Sequence, residues 1–302
     1  MTRQAMARAT AIGLIAIGLW AGLALSTVAA AGIPPFQLLG LSFAVAFLSG
    51  MGVLICQGPG AVRRLRQPAL AWILAFTAIF LYHALYFFAL SAVAPARASL
   101  IAYLWPLLIV LFSALIPGGG RLRLCHLAGA ALGFAGAAIM FLDRDGTPAG
   151  ATSIVGYGAA FGCALIWAGY SVINRRFADV PSEMLIGVCG VVALAGGIGH
   201  LWFEETVWPR PVQWIAVLAL GIGPTGLAFL AWDYATKHGN MPLLGALSYL
   251  APLVSTLLLV ASGRALFTPI LGLSALLIVA GAVLASLGPV RKKADPFRSE
   301  AR

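Results

Sequence analysis

Ten stretches of predominantly apolar residues, at 9–31, 35–56, 70–93, 96–116, 122–142, 152–174, 183–203, 211–236, 242–262 and 268–289, fill nearly the whole chain. A bilayer core about 30 Å thick takes roughly 20 apolar residues per helix, and each stretch meets that length. The windows are rich in Leu, Ala and Gly and lack a period of two, so helices, which satisfy their own backbone groups in hydrocarbon, are favoured over a barrel. With 61% hydrophobic and 9% charged residues at a mean hydropathy of +0.98, there is too little polar surface to cover a soluble globule. The expected fold class is an all-α integral membrane bundle of ten transmembrane helices.

Short phrases recur at a nearly fixed interval. Trp20-Ala21-Gly22 returns as Trp167-Ala168-Gly169, Tyr103-Leu104-x-Pro106 as Tyr249-Leu250-x-Pro252, Pro34 as Pro181, and Ala135-Gly136-Ala137 as Ala280-Gly281-Ala282. The sequence therefore divides into a five-helix repeat at 1–146 and a second at 147–302 that ends in a short basic tail. Five spans are an odd number, so the second copy starts on the opposite face of the membrane. Inverted repeats enclosing a central cavity are the architecture of a carrier with two related packings; a duplicated scaffold or a membrane enzyme is the competing reading.

The net charge of +10 is explained by topology rather than by a polyanionic partner. With the N-terminus cytoplasmic, fifteen of the nineteen Lys and Arg fall on the inner side, among them Arg3, Arg8, Arg63, Arg64, Arg66, Arg175, Arg176 and Lys237. Only Arg97, Arg144, Arg210 and Arg264 fall outside. This is the positive-inside pattern; both termini are expected in the cytoplasm, and nucleic acid is excluded as a partner. The first apolar stretch is longer than a leader's core and shares Trp-Ala-Gly with the sixth, so it is read as a retained helix. Cys56, Cys125, Cys163 and Cys189 show no CxxC spacing and suggest neither a disulfide framework nor a metal site.

Gly18-x-x-x-Gly22, Gly129-x-x-x-Gly133 and Gly158-x-x-x-Gly162 have the spacing of close helix contacts, with sliding surfaces or dimer seams as the alternative. Pro106 and Pro252 fall near the middles of the fourth and ninth windows, and Gly221-Ile-Gly-Pro224-Thr-Gly226 interrupts the eighth. Each proline removes a backbone hydrogen bond, so these three are the expected hinges or bends.

Ionisable side chains within the spans are few: His83 in the third, Asp233 towards the inner end of the eighth and His200 near the outer interface, with only His83 deep. His83 is read either as a structural histidine or as a contact for a substrate carboxylate or a proton-sensitive group. Tyr82 and Tyr86 share its helical neighbourhood. Tyr103 and Trp105 adjoin Pro106, and Trp167 and Tyr170 lie in the sixth span. Trp72, Trp202, Trp208 and Trp214 suit an interfacial belt, whereas Tyr82, Tyr103, Trp105 and Trp167 lie too deep for one. Trp20, Trp232 and Tyr249 divide evenly between cavity and core. No Lys or Arg sits at mid-membrane to hold a phosphate, and the first span has no Glu. A neutral or zwitterionic cargo with an apolar or aromatic side chain, such as an amino acid, fits these walls.

The ten windows, the paired repeats and the two Trp-Ala-Gly motifs resemble the EamA-type branch of the drug/metabolite transporter superfamily over nearly the whole chain. Tyr82-His83-x-x-Tyr86 and Tyr103-Leu104-Trp105-Pro106 resemble the YddG-type exporters of aromatic amino acids within it. The resemblance implies a basket-like bundle in a bacterial inner membrane and export from the cytoplasm by alternating access. The substrate-binding residues it implies are Tyr82, His83, Tyr86, Tyr103, Trp105 and Trp167. The intramembrane glutamate of the small multidrug members is absent, which favours facilitated over proton-coupled efflux. A permease for drugs or other small metabolites is the alternative. An enzyme is disfavoured because Asp143, Asp145, Glu204 and Glu205 lie on loops without a histidine pair. A channel is disfavoured because no polar stripe runs along several helices. No cofactor and no obligate protein partner are expected, and a monomer is favoured.

Overall fold

The computed structural model describes residues 2–114, 123–142, 153–263 and 266–287. Among them every regular element is helical. The α-helices are α1 (Arg3–Ala21), α2 (Leu23–Ala29), α3 (Pro35–Cys56), α4 (Pro59–Val62), α5 (Ala69–Ala92), α6 (Pro95–Ala102), α7 (Trp105–Ser113), α8 (Leu124–Leu142), α9 (Ile154–Ile173), α10 (Met184–Phe203), α11 (Pro211–Ile222), α12 (Ala228–His238), α13 (Met241–Leu247), α14 (Leu250–Ala261) and α15 (Pro269–Ser286). Two 3-10 turns, Arg63–Leu65 and Asn174–Phe177, and a π-turn at Gly223–Leu227 complete the set. Asp143, Arg144, Asp145, Arg264 and the basic tail, all used above, lie outside the described residues.

Local chemistry sets where the helices begin. Proline stands in the first turn of α3, α6, α7, α11, α13 and α15, where its missing N–H costs nothing. Thr2, Ser153, Asn240 and Thr268 cap α1, α9, α13 and α15 by accepting a backbone N–H three residues on. Eight helical stretches are long and apolar enough to cross a membrane, and Arg97–Ser113 and Leu124–Ile139 are shorter apolar ones. Leu48, Leu194 and Leu201 are 66%, 70% and 77% exposed, whereas Asp233, Thr236, Ser171 and Ser248 are buried. Apolar outside and polar inside is the arrangement that lipid, not water, stabilises.

Equivalent helices of the two halves lie side by side and run in opposite directions. Along α3 and α10, Phe36 meets Gly199, Gly40 meets Gly196, Phe47 meets Gly190 and Gly50 meets Ile186. Along α8 and α15, Gly129 lies against Gly281 and Ala285, and Gly136 against Ser274 and Ile278. The halves are thus inverted with respect to each other. The contacts of α1 with α12 and of α5 with α9 are one contact with the halves exchanged.

The symmetry is not complete. α7 lies against α13, with Pro106 O, Ile109 and Val110 around Gly245, while the exchanged pair, α6 and α14, approaches far less closely.

The small-residue motifs resolve unequally. Gly129 and Gly133 do sit at an interhelical contact, facing α15 and Tyr249, because backbone and ring fill the space a side chain would take. A Cβ at Gly18 or Gly158 would meet open space, so those two motifs are not tight seams within the chain. The prolines also act differently from simple bends. The fourth and ninth windows are interrupted at Tyr103–Leu104 and Ser248–Tyr249, and Pro106 and Pro252 stand in the first turn of the helices that resume, α7 and α14. The first window is likewise broken at Gly22, which the sequence marked as a repeat and packing position and not as a break.

Candidate functional site

The two Trp-Ala-Gly motifs bring their tryptophans together. Trp20 and Trp167 have ring centroids 5.7 Å apart. Their neighbours follow the same exchange: Trp167 lies 5.9 Å from Tyr82, and Trp20 lies 5.9 Å from Phe229, the residue that takes the place of Tyr82 in the second repeat. Trp167 and Phe229 are 5.6 Å apart, which closes the set. A ring cluster therefore straddles the boundary between the halves. Edge-to-face contacts dominate it, as the ring quadrupole favours.

Around this centre, Trp232 stands 5.2 Å from Trp20 and 5.6 Å from Trp105, itself 6.4 Å from Trp20. Trp105, Trp167, Trp232 and Phe229 are buried, whereas Trp20, Tyr82, His83, Tyr86 and Tyr103 keep partial exposure. The buried rings form a floor and the half-buried ones a face. Tyr82 contacts His83 at 5.6 Å and Tyr86 at 5.9 Å, and Phe43 packs on His83 at 5.6 Å. Of the six residues expected to bind substrate, Tyr82, His83, Tyr86 and Trp167 form one contiguous set. Trp105 joins it through Trp20, and Tyr103 lies in the break just before Trp105.

Trp20, Trp232, Phe229 and Phe43 complete the cluster and were weighted too low or passed over in the sequence. Trp20 carried a usable signal in its repeat partner. Tyr249 is core: it is fully buried, with Phe134 at 6.3 Å, even though its repeat counterpart Tyr103 is half-exposed.

The polar atoms are committed as well. Trp20 Nε1–H donates to Pro224 O at 3.1 Å. That carbonyl belongs to the π-turn that Gly223-Pro224 inserts between α11 and α12. Pro224 also strips Leu220 O of its helical donor, and Thr225 Oγ1 donates to it at 2.9 Å, with Gly221 O at 3.3 Å. The interruption is thus repaired, yet it leaves one carbonyl to anchor the central tryptophan.

His83 Nδ1 stands 2.7 Å from Ile79 O. A carbonyl only accepts, so Nδ1 carries the proton and Nε2 of the neutral ring is an acceptor. Nε2 would accept from an ammonium in the neutral ring and donate to a carboxylate in the protonated one. Tyr86 Oη lies 2.8 Å from Ser99 Oγ.

At one end of the cluster Tyr170 packs at a tilt 5.4 Å from Trp167 and donates to Asp233 Oδ1 at 3.2 Å. Asn174 donates to the same oxygen at 2.9 Å, and Lys237 Nζ donates to Asp233 Oδ2 at 2.7 Å and to Val180 O at 2.9 Å. Lys237, read from sequence as a loop charge, is 3% exposed within α12. At the α10 C-terminus, Glu204 accepts from the backbone N–H groups of Phe36 and Gln37 at 2.8 and 2.9 Å, and His200 lies 3.0 Å from it. No group of three or more metal-ligating side chains occurs among the described residues.

The EamA-like transporter family model matches the chain twice, over residues 9–142 and 154–287. The chain belongs to the EamA-like transporter family. It is similar to a protein named Aromatic amino acid exporter YddG from Ancylobacter novellus, with 48% identity over 92% of this chain and 97% of that one. A protein of the same name from Escherichia coli K12 is 27% identical over 85% of this chain and 88% of its own length. A solved crystal structure superposes with a TM-score of 0.88 at 46% identity, covering 93% of this chain and 97% of that one. This EamA-like protein is a multi-span membrane transporter and not an enzyme.

Proposed function

We propose that this EamA-like protein exports aromatic and other hydrophobic amino acids from the bacterial cytoplasm across the inner membrane. The half-buried face of Trp20, Tyr82, His83, Tyr86 and Tyr103 over a floor of buried rings carries the reading. An aromatic side chain is held by that floor, an ammonium by ring faces and His83 Nε2, and a carboxylate by tyrosine hydroxyls. The relatives named as aromatic amino acid exporters support the same cargo.

In this reading ten helices cross the bilayer, the shorter Arg97–Ser113 and Leu124–Ile139 included, and the halves divide near residue 146. Both termini are cytoplasmic and the protein works as a monomer. Transport is by alternating access, and the unequal approach of α7 to α13 and of α6 to α14 supports a state closed at one end only. The charged pair at Asp233 is neutralised in place, which supports facilitated efflux rather than tight proton coupling. The direction of flux follows the amino-acid gradient.

The test is uptake into liposomes of labelled phenylalanine, labelled threonine and a cationic dye by purified protein. Phenylalanine uptake that Tyr82→Ala, Tyr103→Ala and Trp105→Ala each reduce is expected. Preference for the dye would favour a drug permease, and unchanged uptake in all three variants would remove the aromatic site. Strong dependence on an imposed pH gradient would overturn facilitated transport.

A further inference from the structure

Away from the ring cluster, a lateral groove of about 560 Å³ opens between α3 and α10. Its walls are Gly40, Ala44 and Leu48 on one side and Gly187, Gly190 and Leu194 on the other, and Leu65 and Trp72 stand at one end. Leu48 and Leu194 are strongly exposed, so the groove faces the lipid. From Gly187 to Leu194 it follows α10 for roughly 10 Å at about 1.5 Å per residue, about a third of the hydrocarbon depth.

The Leu65 end carries charge. Leu65 belongs to the turn Arg63–Leu65, its carbonyl accepts from Trp72 Nε1–H at 3.2 Å, and Arg66 follows directly. Arg64 is engaged by Glu183 at 2.8 Å, while Arg63 and Arg66 are exposed on the same turn. Cations at the rim and an apolar channel running inward from them match the two parts of an anionic phospholipid.

We propose that this groove is a site for an anionic phospholipid, one acyl chain lying between α3 and α10 and the headgroup phosphate meeting Arg63 and Arg66. An acyl chain leaving bulk lipid for an apolar groove exchanges like contacts for like, so the chain supplies fit and little selectivity. The arginines supply the selectivity. Each basic residue near the headgroup plane contributes about five-fold in preference for an anionic lipid.

Native mass spectrometry of the delipidated full chain, titrated separately with dioleoyl phosphatidylglycerol and dioleoyl phosphatidylcholine, tests this. The expected result is tighter binding of phosphatidylglycerol, with Arg63→Gln/Arg66→Gln reducing that preference at least about five-fold and Ala44→Phe, which fills the groove, weakening both lipids. Equal binding of the two lipids, or an undiminished preference in the arginine variant, overturns the proposal. So does a dimer that Ala44→Phe dissociates, which would make a second copy the occupant. Should Ala44→Phe fail to fold, judged by size exclusion, the arginine variant decides alone.

Discussion

Lys237 Nζ lies 2.7 Å from Asp233 Oδ2, and both side chains are 1% exposed. Removing one partner of a buried pair leaves an uncompensated charge and typically costs about 3–5 kcal/mol, whereas removing both together costs far less. Lys237→Met is therefore expected to lower the thermal midpoint in detergent by on the order of 10 °C. Asp233→Leu/Lys237→Met should lose less than the sum of the two single changes. Strict additivity would show that the pair is not coupled.

The same pair marks where the sequence was legible and where it was not. The repeats were readable because Trp-Ala-Gly and Tyr-Leu-x-Pro return in register, and inversion followed from the odd number of spans. Lys237 was misplaced because the apolar window was ended just before it, whereas α12 continues to His238 and Asp233, one turn earlier, absorbs the ammonium. Only the Asp-x-x-x-Lys spacing hinted at it. The breaks at Tyr103–Leu104 and Ser248–Tyr249 were seen a few residues late, through Pro106 and Pro252. A proline disfavours the helical conformation of the turn before it, so it stands after the break it causes. Phe229 and Phe43 carried no polar signal, and only the fold shows that they join the ring cluster rather than facing the bilayer.

The ring cluster should discriminate between deep and interfacial aromatics. Tyr82→Ala and Trp167→Ala each remove a ring contact worth about 0.5–1.5 kcal/mol beyond burial. Labelled phenylalanine uptake into liposomes should fall up to about ten-fold in each. Trp202→Ala, at a residue 78% exposed, should leave uptake unchanged. Equal losses in all three would point to a general folding defect, which a thermal midpoint would reveal.

The π-turn depends on one hydroxyl. Thr225 Oγ1 serves Leu220 O and Gly221 O, so Thr225→Val strands carbonyls in a buried site at a cost of about 1–3 kcal/mol. A thermal midpoint lower by several degrees is expected, with Thr225→Ser restoring most of it because the hydroxyl is kept. A stable Val variant beside a destabilised Ser variant would show that the methyl group and not the hydrogen bond holds the turn.

The tautomer of His83 makes the most specific statement about substrate. With Nδ1–H held by Ile79 O, the proposed site has Nε2 of the neutral ring accept from a cationic amine, a hydrogen bond to a charged group worth about 1.5–3 kcal/mol. Phenylalanine should therefore compete for transport at least ten-fold better, roughly, than N-acetylphenylalanine, which keeps ring and carboxylate but has no ammonium. His83→Phe preserves the packing against Phe43 and removes the acceptor, so that gap should narrow through weaker phenylalanine competition. A gap that His83→Phe leaves unchanged would place the ammonium elsewhere, over the faces of Trp20 or Trp167, where cation–π attraction alone would hold it.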